Sequence, residues 1–280
     1  MKHALGLIAG LSVAVVSVAA LAQTPAPSAA ASDAANETAA SGRATPTIEP
    51  GLLKRLEALD LALARVESMR ADFVQRKKTA MLKKPIESSG TLVALGPVVK
   101  WETTKPNASS LRVGDGELRL FYPADKLLEV YPAEGDARAL AGVPLPRLAV
   151  LRERFDIVDG GVGKGEAGKE GDLVLVLTPR EGKLKRAIRS LRVEIDPAGP
   201  GARRVVIVDG DGDTTEITFT NVRVNSGVSA ADVELVTPKG TKVVHPLGEK
   251  GAGTTGAAPG ARGDEKAPEA PSTDSPTGKR

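Results

Sequence analysis

The chain has 280 residues, no cysteine, one Trp, two Tyr and four Phe, and 38 basic against 35 acidic side chains give a formal net charge of +3. The missing sulfur excludes a disulfide framework, a thiolate metal site and a cysteine nucleophile. His3 and His245 are the only histidines, so a multi-histidine metal centre or a histidine-based catalytic network has nothing to be built from.

The first segment reads as an export signal. Lys2 and His3 precede an apolar run over 4–21, and Ala20 and Ala22 place small residues at the −3 and −1 positions of a cut before Gln23. A membrane anchor would match the run's length, but the cleavage site and the stretch behind it favour a signal peptide over 1–22. No cysteine follows the run, so lipid anchoring of the lipoprotein type has no attachment point. Residues 23–50 are dominated by Ala, Pro, Ser and Thr, lack apolar periodicity and read as a flexible linker. Residues 249–280, with Gly251, Gly253, Pro259, Pro268, Pro271 and Pro276 among scattered charges, read as a disordered tail. One domain remains over 51–248.

That domain opens with an amphipathic pattern. Leu52, Leu56, Leu59, Leu63, Val66, Met69 and Phe73 recur at steps of three or four, with Lys54, Arg55, Glu57, Asp60, Arg65 and Glu67 between them, which predicts one long helix whose apolar stripe must be covered. Core packing fits it better than a coiled-coil seam, because the pattern lasts about three heptads. Its mixed charges also argue against a membrane-surface helix. After Gln75 the period becomes two. Val99 and Trp101 alternate with Val98, Lys100 and Glu102; Leu118, Leu120 and Tyr122 with Glu117, Arg119 and Phe121; Leu191, Val193 and Ile195 with Ser190, Arg192, Glu194 and Asp196. These are half-buried strands.

Asp115-Gly116 and Asp209-Gly210-Asp211-Gly212 sit between such strands as hairpin turns, so the sheet is antiparallel and meandering, with roughly eight strands. Ile217 and Phe219 share one parity and Val222 and Val224 the other, which predicts a bulge near Thr220-Asn221. One further helix is expected, entered at Pro144 and Pro146 with Leu148, Val150 and Leu151 on its apolar side, before Phe155-Asp156-Ile157 extends again. Residues 160–171 read as a solvated hairpin connection.

Two helices cover a large curved sheet incompletely, so either side chains fill the concave face or a cavity remains. With few aromatics and many Leu, Val and Ile, a greasy pocket is one outcome and a solid aliphatic core the other. Asp209, Asp211 and Asp213 resemble the start of a calcium loop, but Thr214 stands at the turning glycine and Thr220 at the bidentate glutamate, so a plain turn fits better. His245, beside Pro246, has no catalytic motif around it. Nucleophile-elbow and P-loop patterns are absent, and no enzymatic activity, cofactor or metal is expected. Arg76, Lys77, Lys78, Lys83 and Lys84 form a solvated basic cluster, or a surface for an acidic protein patch or anionic headgroups; without interleaved aromatics it does not suit nucleic acid.

The order of several segments resembles the periplasmic lipoprotein carrier family LolA. It runs from the first helix through Phe73-Val74-Gln75, Ser89-Gly90-Thr91-Leu92, Gly96-Pro97, Val99-Lys100-Trp101-Glu102 and Lys105-Pro106. It continues in Val113-Gly114-Asp115-Gly116, Leu118-Arg119-Leu120-Phe121-Tyr122-Pro123, Val130-Tyr131, Phe155-Asp156-Ile157 and Thr237-Pro238-Lys239-Gly240-Thr241-Lys242-Val243. Order and spacing carry the likeness, over nearly the whole domain.

The resemblance implies an α+β fold: a curved antiparallel half-barrel whose concave face is covered by an N-terminal amphipathic helix and a short mid-chain helix. It implies a monomeric periplasmic carrier that shields lipoprotein acyl chains between the inner and outer membranes, working with an ABC-type releasing complex and an outer-membrane acceptor. A LolA-like sensor of envelope stress, or a carrier of another lipid, is the alternative. The expected cavity lining comprises Leu56, Leu63, Phe73, Leu92, Val99, Trp101, Val113, Leu118, Leu120, Tyr122, Val130, Leu191, Val193, Ile217 and Phe219. One position departs from the family. An arginine associated with lid closure and cargo release usually precedes the proline of the "RP…W" element, and here Gly96 stands there.

Overall fold

The computed structural model describes residues 48–133, 147–163, 171–196, 199 and 201–247. The expected signal peptide, most of the expected linker, Pro144, Pro146, the centre of the expected 160–171 connection and the expected tail lie outside the described residues. Twelve strands form one sheet: β1 (Ser68–Lys78), β2 (Ile86–Leu95), β3 (Val98–Lys105), β4 (Ser109–Gly114), β5 (Glu117–Tyr122), β6 (Leu127–Pro132), β7 (Phe155–Val162), β8 (Leu173–Pro179), β9 (Ile188–Ile195), β10 (Ala202–Asp209), β11 (Thr214–Val224) and β12 (Lys242–Val244). Their order is β12-β6-β5-β4-β3-β2-β1-β11-β10-β9-β8-β7. Two antiparallel meanders, β1–β6 and β7–β11, therefore join through the β1–β11 pair, and β7 and β12 are left as edges. The sheet is an open α+β half-barrel. The exception to its antiparallel pairing is β12, which lies parallel to β6.

Among the described residues four helical segments accompany it: α1 (Pro50–Leu63), α2 (Leu148–Arg154), α3 (Gly182–Ala187) and a 3-10 turn over Ala230–Val233. α1 starts where proline at its first position needs no hydrogen bond, and the Glu49 carboxylate accepts from the amides of Gly51 and Leu52, both at 2.9 Å. Those two bonds hold the Glu49 carboxyl below its usual range. Ile48, in the expected linker, packs against the core.

α1 stops at Leu63, ten residues short of the expected end at Phe73. From Ser68 the backbone is β1, where Met69, Ala71, Phe73 and Gln75 are buried and alternate with Arg70, Asp72, Val74 and Arg76. A four-residue step satisfies both a helical face and every second position of a strand, and the small Ala71 hides the alternation. The expected bulge is present. Arg70 opposes Arg223 and Asp72 opposes Thr220, so β11 carries one extra residue there, and Asn221 takes φ +51° while its amide donates to Asp72 at 2.7 Å.

α3 and the 3-10 turn were not foreseen. α3 has six residues and buries one leucine, Leu184, too short a pattern to register. The 3-10 turn lies on the convex side of β1–β4. Arg70 pairs with Asp232 at 2.8 Å, and Lys100 and Arg112 donate to the carbonyls of Glu234 and Val233 at 3.3 and 3.2 Å. This strap explains how a lysine is buried in mid-strand.

Candidate functional site

Directly opposed residues of antiparallel strands share a face, so the register lays out the concave surface as rows. One runs Tyr131, Leu118, Val113, Val99, Ala94, Met69 across six strands. The next runs Glu129, Leu120, Leu111, Trp101, Leu92, Ala71. On the other arm a row runs Gln75, Ile217, Val205, Val193, Leu175. The surface is aliphatic at the β2–β3 and β4–β5 turn end. It becomes polar toward the opposite end, where Gln75, Ser88, Thr103, Ser109 and Thr215 are buried.

The buried side chains fall into two clusters. The larger spans β1–β3, β7–β11 and the helices and includes Leu56, Phe73, Leu92, Val99, Leu191, Val193, Ile217 and Phe219, with Leu63 packed at its margin. The smaller holds Val113, Leu118 and Leu120 with Leu111 and Tyr131, and Tyr122 lies beside it. Trp101 packs against both. Its ring lies edge-on to Phe73 at 5.1 Å and tilted to Phe219 at 5.8 Å, spacings at which aromatic quadrupoles attract. Three of the chain's seven aromatics thus meet where the two apolar halves join.

Val130, expected in this lining, is on the other face. It opposes Arg119, while Tyr131 and Glu129 oppose Leu118 and Leu120. β6 is apolar at both parities (Leu127, Leu128, Val130, Tyr131), so alternation alone assigns no face, and pairing with β5 decides it. Leu52, Leu111, Tyr131, Phe155 and Leu175 belong to the site and were not among the expected lining. For Leu111 the signal was present, since it shares parity with Val113.

The larger cluster is tightly covered in this structure. Leu92, Phe155 and Leu175 have 0% exposure, and Leu52 and Leu56 of α1 have 2% and 1%. Leu52 and Leu56 of α1 are buried within the larger apolar cluster, among the aliphatic side chains of the sheet. Burying those two side chains stabilises the closed form by about 4 kcal/mol.

Polar contacts at the edge of α1 are few. Asp60 accepts from Arg147 Nε and Nη2 at 2.6 and 2.7 Å and from the Leu148 amide at 2.9 Å, tying the third turn of α1 to the start of α2. The guanidinium holds the Asp60 carboxyl down to about 2. Arg55 reaches Asp159 of β7 at 3.3 Å. Gly96, between β2 and β3, has φ +53° and open space where a side chain would stand, and its amide donates to Glu67 at 2.8 Å. Burial and a hydrogen bond to Glu129 push the Tyr131 phenol up to about 12, and burial raises Tyr122 also. Both stay neutral at physiological pH and leave the trough without charge from those groups.

A cleft of about 520 Å³ lies on the convex face, lined by Gly163, Asp172, Arg192, Glu194, Arg203, Arg204 and Thr218. Arg204 bridges Glu194 and Glu216, both at 2.9 Å. It is polar and separate from the apolar trough.

The family model for the outer membrane lipoprotein carrier protein LolA matches residues 64–232, a span that starts just after α1. The chain is similar to the outer-membrane lipoprotein carrier protein of Dechloromonas aromatica, with 27% identity over 186 residues, 65% of this chain and 83% of that protein. It is 32% identical to that of Chromobacterium violaceum over 165 residues, 56% of this chain and 72% of that protein. Among solved structures, an uncharacterized conserved protein from Thermus thermophilus aligns with a TM-score of 0.45 and 15% identity, over 70% of this chain and 97% of that one.

Proposed function

The chain belongs to the LolA family, and from that premise we propose that it carries lipoprotein acyl chains on its concave face across the periplasm, from the inner to the outer membrane. Three fatty chains of about fifteen buried methylenes each cost on the order of 36 kcal/mol to expose to water. No lipoprotein crosses an aqueous gap without cover. The observation that carries the reading is the pair of apolar clusters that meet at Trp101, the larger of them covered by a helix whose buried anchors are Leu52 and Leu56. Acyl chains would replace Leu52 and Leu56 against the same aliphatic surface. The exchange needs no directional bonds and tolerates variable chains. Forward transfer then requires only that each successive partner bind the cargo more tightly, so the carrier makes and breaks no covalent bond.

The proposed domain limits are 51–248, preceded by a signal peptide and linker and followed by a tail. The expected lining is proposed to act as the acyl surface, with Val130 removed, Leu56 displaced together with α1, and Leu111, Tyr131, Phe155 and Leu175 added. Mass spectrometry of lipid extracted from gently purified protein tests this: acylated cargo should co-purify, and outer-membrane lipoproteins should be stranded at the inner membrane on depletion.

A second reading is a regulatory module that binds lipid or lipoprotein as a signal. It is favoured by Gly96, which lacks the side chain associated with cargo release in the family. It predicts a stable inner-membrane protein partner and undisturbed lipoprotein sorting on depletion.

A further inference from the structure

The β1–β2 hairpin carries a feature that acyl-chain cover does not use. Its tip, residues 79–85, is held by the Thr79 carbonyl and hydroxyl, which accept from the amides of Leu82 and Met81, both at 3.3 Å. Met81 at the tip is 91% exposed and Leu82 49% exposed. Solvent-facing apolar pairs on a turn contribute nothing to the core, and polar residues would serve there at no cost in folding.

The charges around them are divided by the fold. Arg76 pairs with Glu87 at 2.9 Å, and Lys77 faces Asp209 and Asp213 of the neighbouring turn at 4.0 and 3.7 Å. Those aspartates are also occupied by backbone amides: Asp209 accepts from Asp211 and Asp213, and Asp213 from Ala80. Lys78, Lys83 and Lys84 are exposed, and none has a carboxylate partner among the described residues. Two exposed apolar side chains thus lie within a few residues of three exposed lysines that have no carboxylate partner among the described residues.

We propose that this tip is a membrane-docking element: Met81 and Leu82 enter the interfacial region of a bilayer while Lys78, Lys83 and Lys84 lie against anionic phospholipid headgroups. The charge complementarity selects an anionic lipid surface, and the small apolar area keeps the contact reversible, as a shuttling protein requires. Docking is independent of cargo, because the tip lies outside both apolar clusters.

The test is sedimentation of the mature full-length protein with phosphatidylcholine vesicles that contain or lack phosphatidylglycerol. Binding should appear with phosphatidylglycerol and weaken with salt. Replacing Lys78, Lys83 and Lys84 together by glutamine should reduce it about a hundredfold, at about fivefold per lysine. Met81→Ser with Leu82→Ser should reduce it about tenfold with all charges in place. Acyl-chain capture and Trp101 emission should be unchanged in both variants, so failed docking and a failed carrier reading are separate results. Equal binding to both vesicle types, or vesicle binding by the lysine variant equal to wild type, overturns the proposal; the latter is what an acidic protein partner for this surface would give.

Discussion

Replacing Asp60 by alanine removes three hydrogen bonds at once, two from Arg147 and one from the Leu148 amide. The Asp60 side chain is 23% exposed and that of Arg147 54%, so solvent screens the pair and its contribution is about 1 kcal/mol despite the two-pronged geometry. Loss of the carboxylate that caps the first amide of α2 adds about 1 kcal/mol. The anchors Leu52 and Leu56 remain and supply about 4 kcal/mol, so α1 stays docked in most molecules while its open population rises about 5- to 30-fold. Amide hydrogen exchange followed by mass spectrometry reads this directly. In both proteins residues 50–63 should exchange faster than β1 and β11, and Asp60→Ala should accelerate them about tenfold. Arg55→Ala, which removes a longer and more exposed pair, should change them by less than about twofold.

The same latch has a defined acid limit. The folded-state value for Asp60 is lowered to about 2 from 3.8, so its contribution is complete above pH 3.8 and is lost as pH falls through about 2. Exchange over 50–63 should rise across that window in the wild type, and Asp60→Ala should lack this step. Unchanged exchange in the variant, or a common rate for α1 and the central strands in both proteins, would refute a separately opening lid.

Leu92→Ala, at a side chain with 0% exposure, should lower unfolding free energy in urea by about 2–5 kcal/mol. Gly90→Ala places a Cβ 1.8 Å from the Glu102 carbonyl oxygen; the β2–β3 ladder must shift, and stability should fall by at least about 2 kcal/mol. Asp172 is 1% exposed, and among the described residues neither carboxylate oxygen has a hydrogen-bond partner, although Arg203 Nε lies 3.5 Å from one. Burial raises its pKa, so the folded form holds the proton longer than the unfolded chain, and stability contributed at low pH is lost as pH rises above 3.8. Asp172→Asn should therefore stabilise the protein at pH 7 by about 1–3 kcal/mol and flatten that part of its pH profile, as urea melts at pH 4 and pH 7 would show.

Strands were legible wherever one face is apolar and the other polar. In β5, Leu118 and Leu120 alternate with Glu117 and Arg119, and in β9, Leu191 and Val193 alternate with Ser190 and Arg192; the structure buries those leucines and valines. Asp115-Gly116 was legible because only a left-handed pair closes that hairpin, and both residues have positive φ. The bulge at Asn221 was legible as a change of parity. The α1–β1 junction was not, since Met69 and Phe73 satisfy both periods, and β6 was not, since Val130 and Tyr131 are both apolar. The Asp60–Arg147 latch links residues 87 positions apart. The strap over Lys100 and Arg112 is made to backbone carbonyls. Neither leaves a periodic trace. Composition located the basic cluster, but only the fold separates Arg76 and Lys77, which are paired, from the three lysines that have no carboxylate partner among the described residues.

The single tryptophan packs against both apolar clusters, so it reports on a ligand bound against either. Titrating the protein with a lipopeptide whose acyl chains carry bromine near mid-chain, and following Trp101 emission, places the chains at contact distance or excludes them. Saturable quenching is expected, stronger at low ligand in Asp60→Ala because less work is needed to displace α1. Lipopeptide binding that leaves Trp101 emission untouched in both proteins would contradict it.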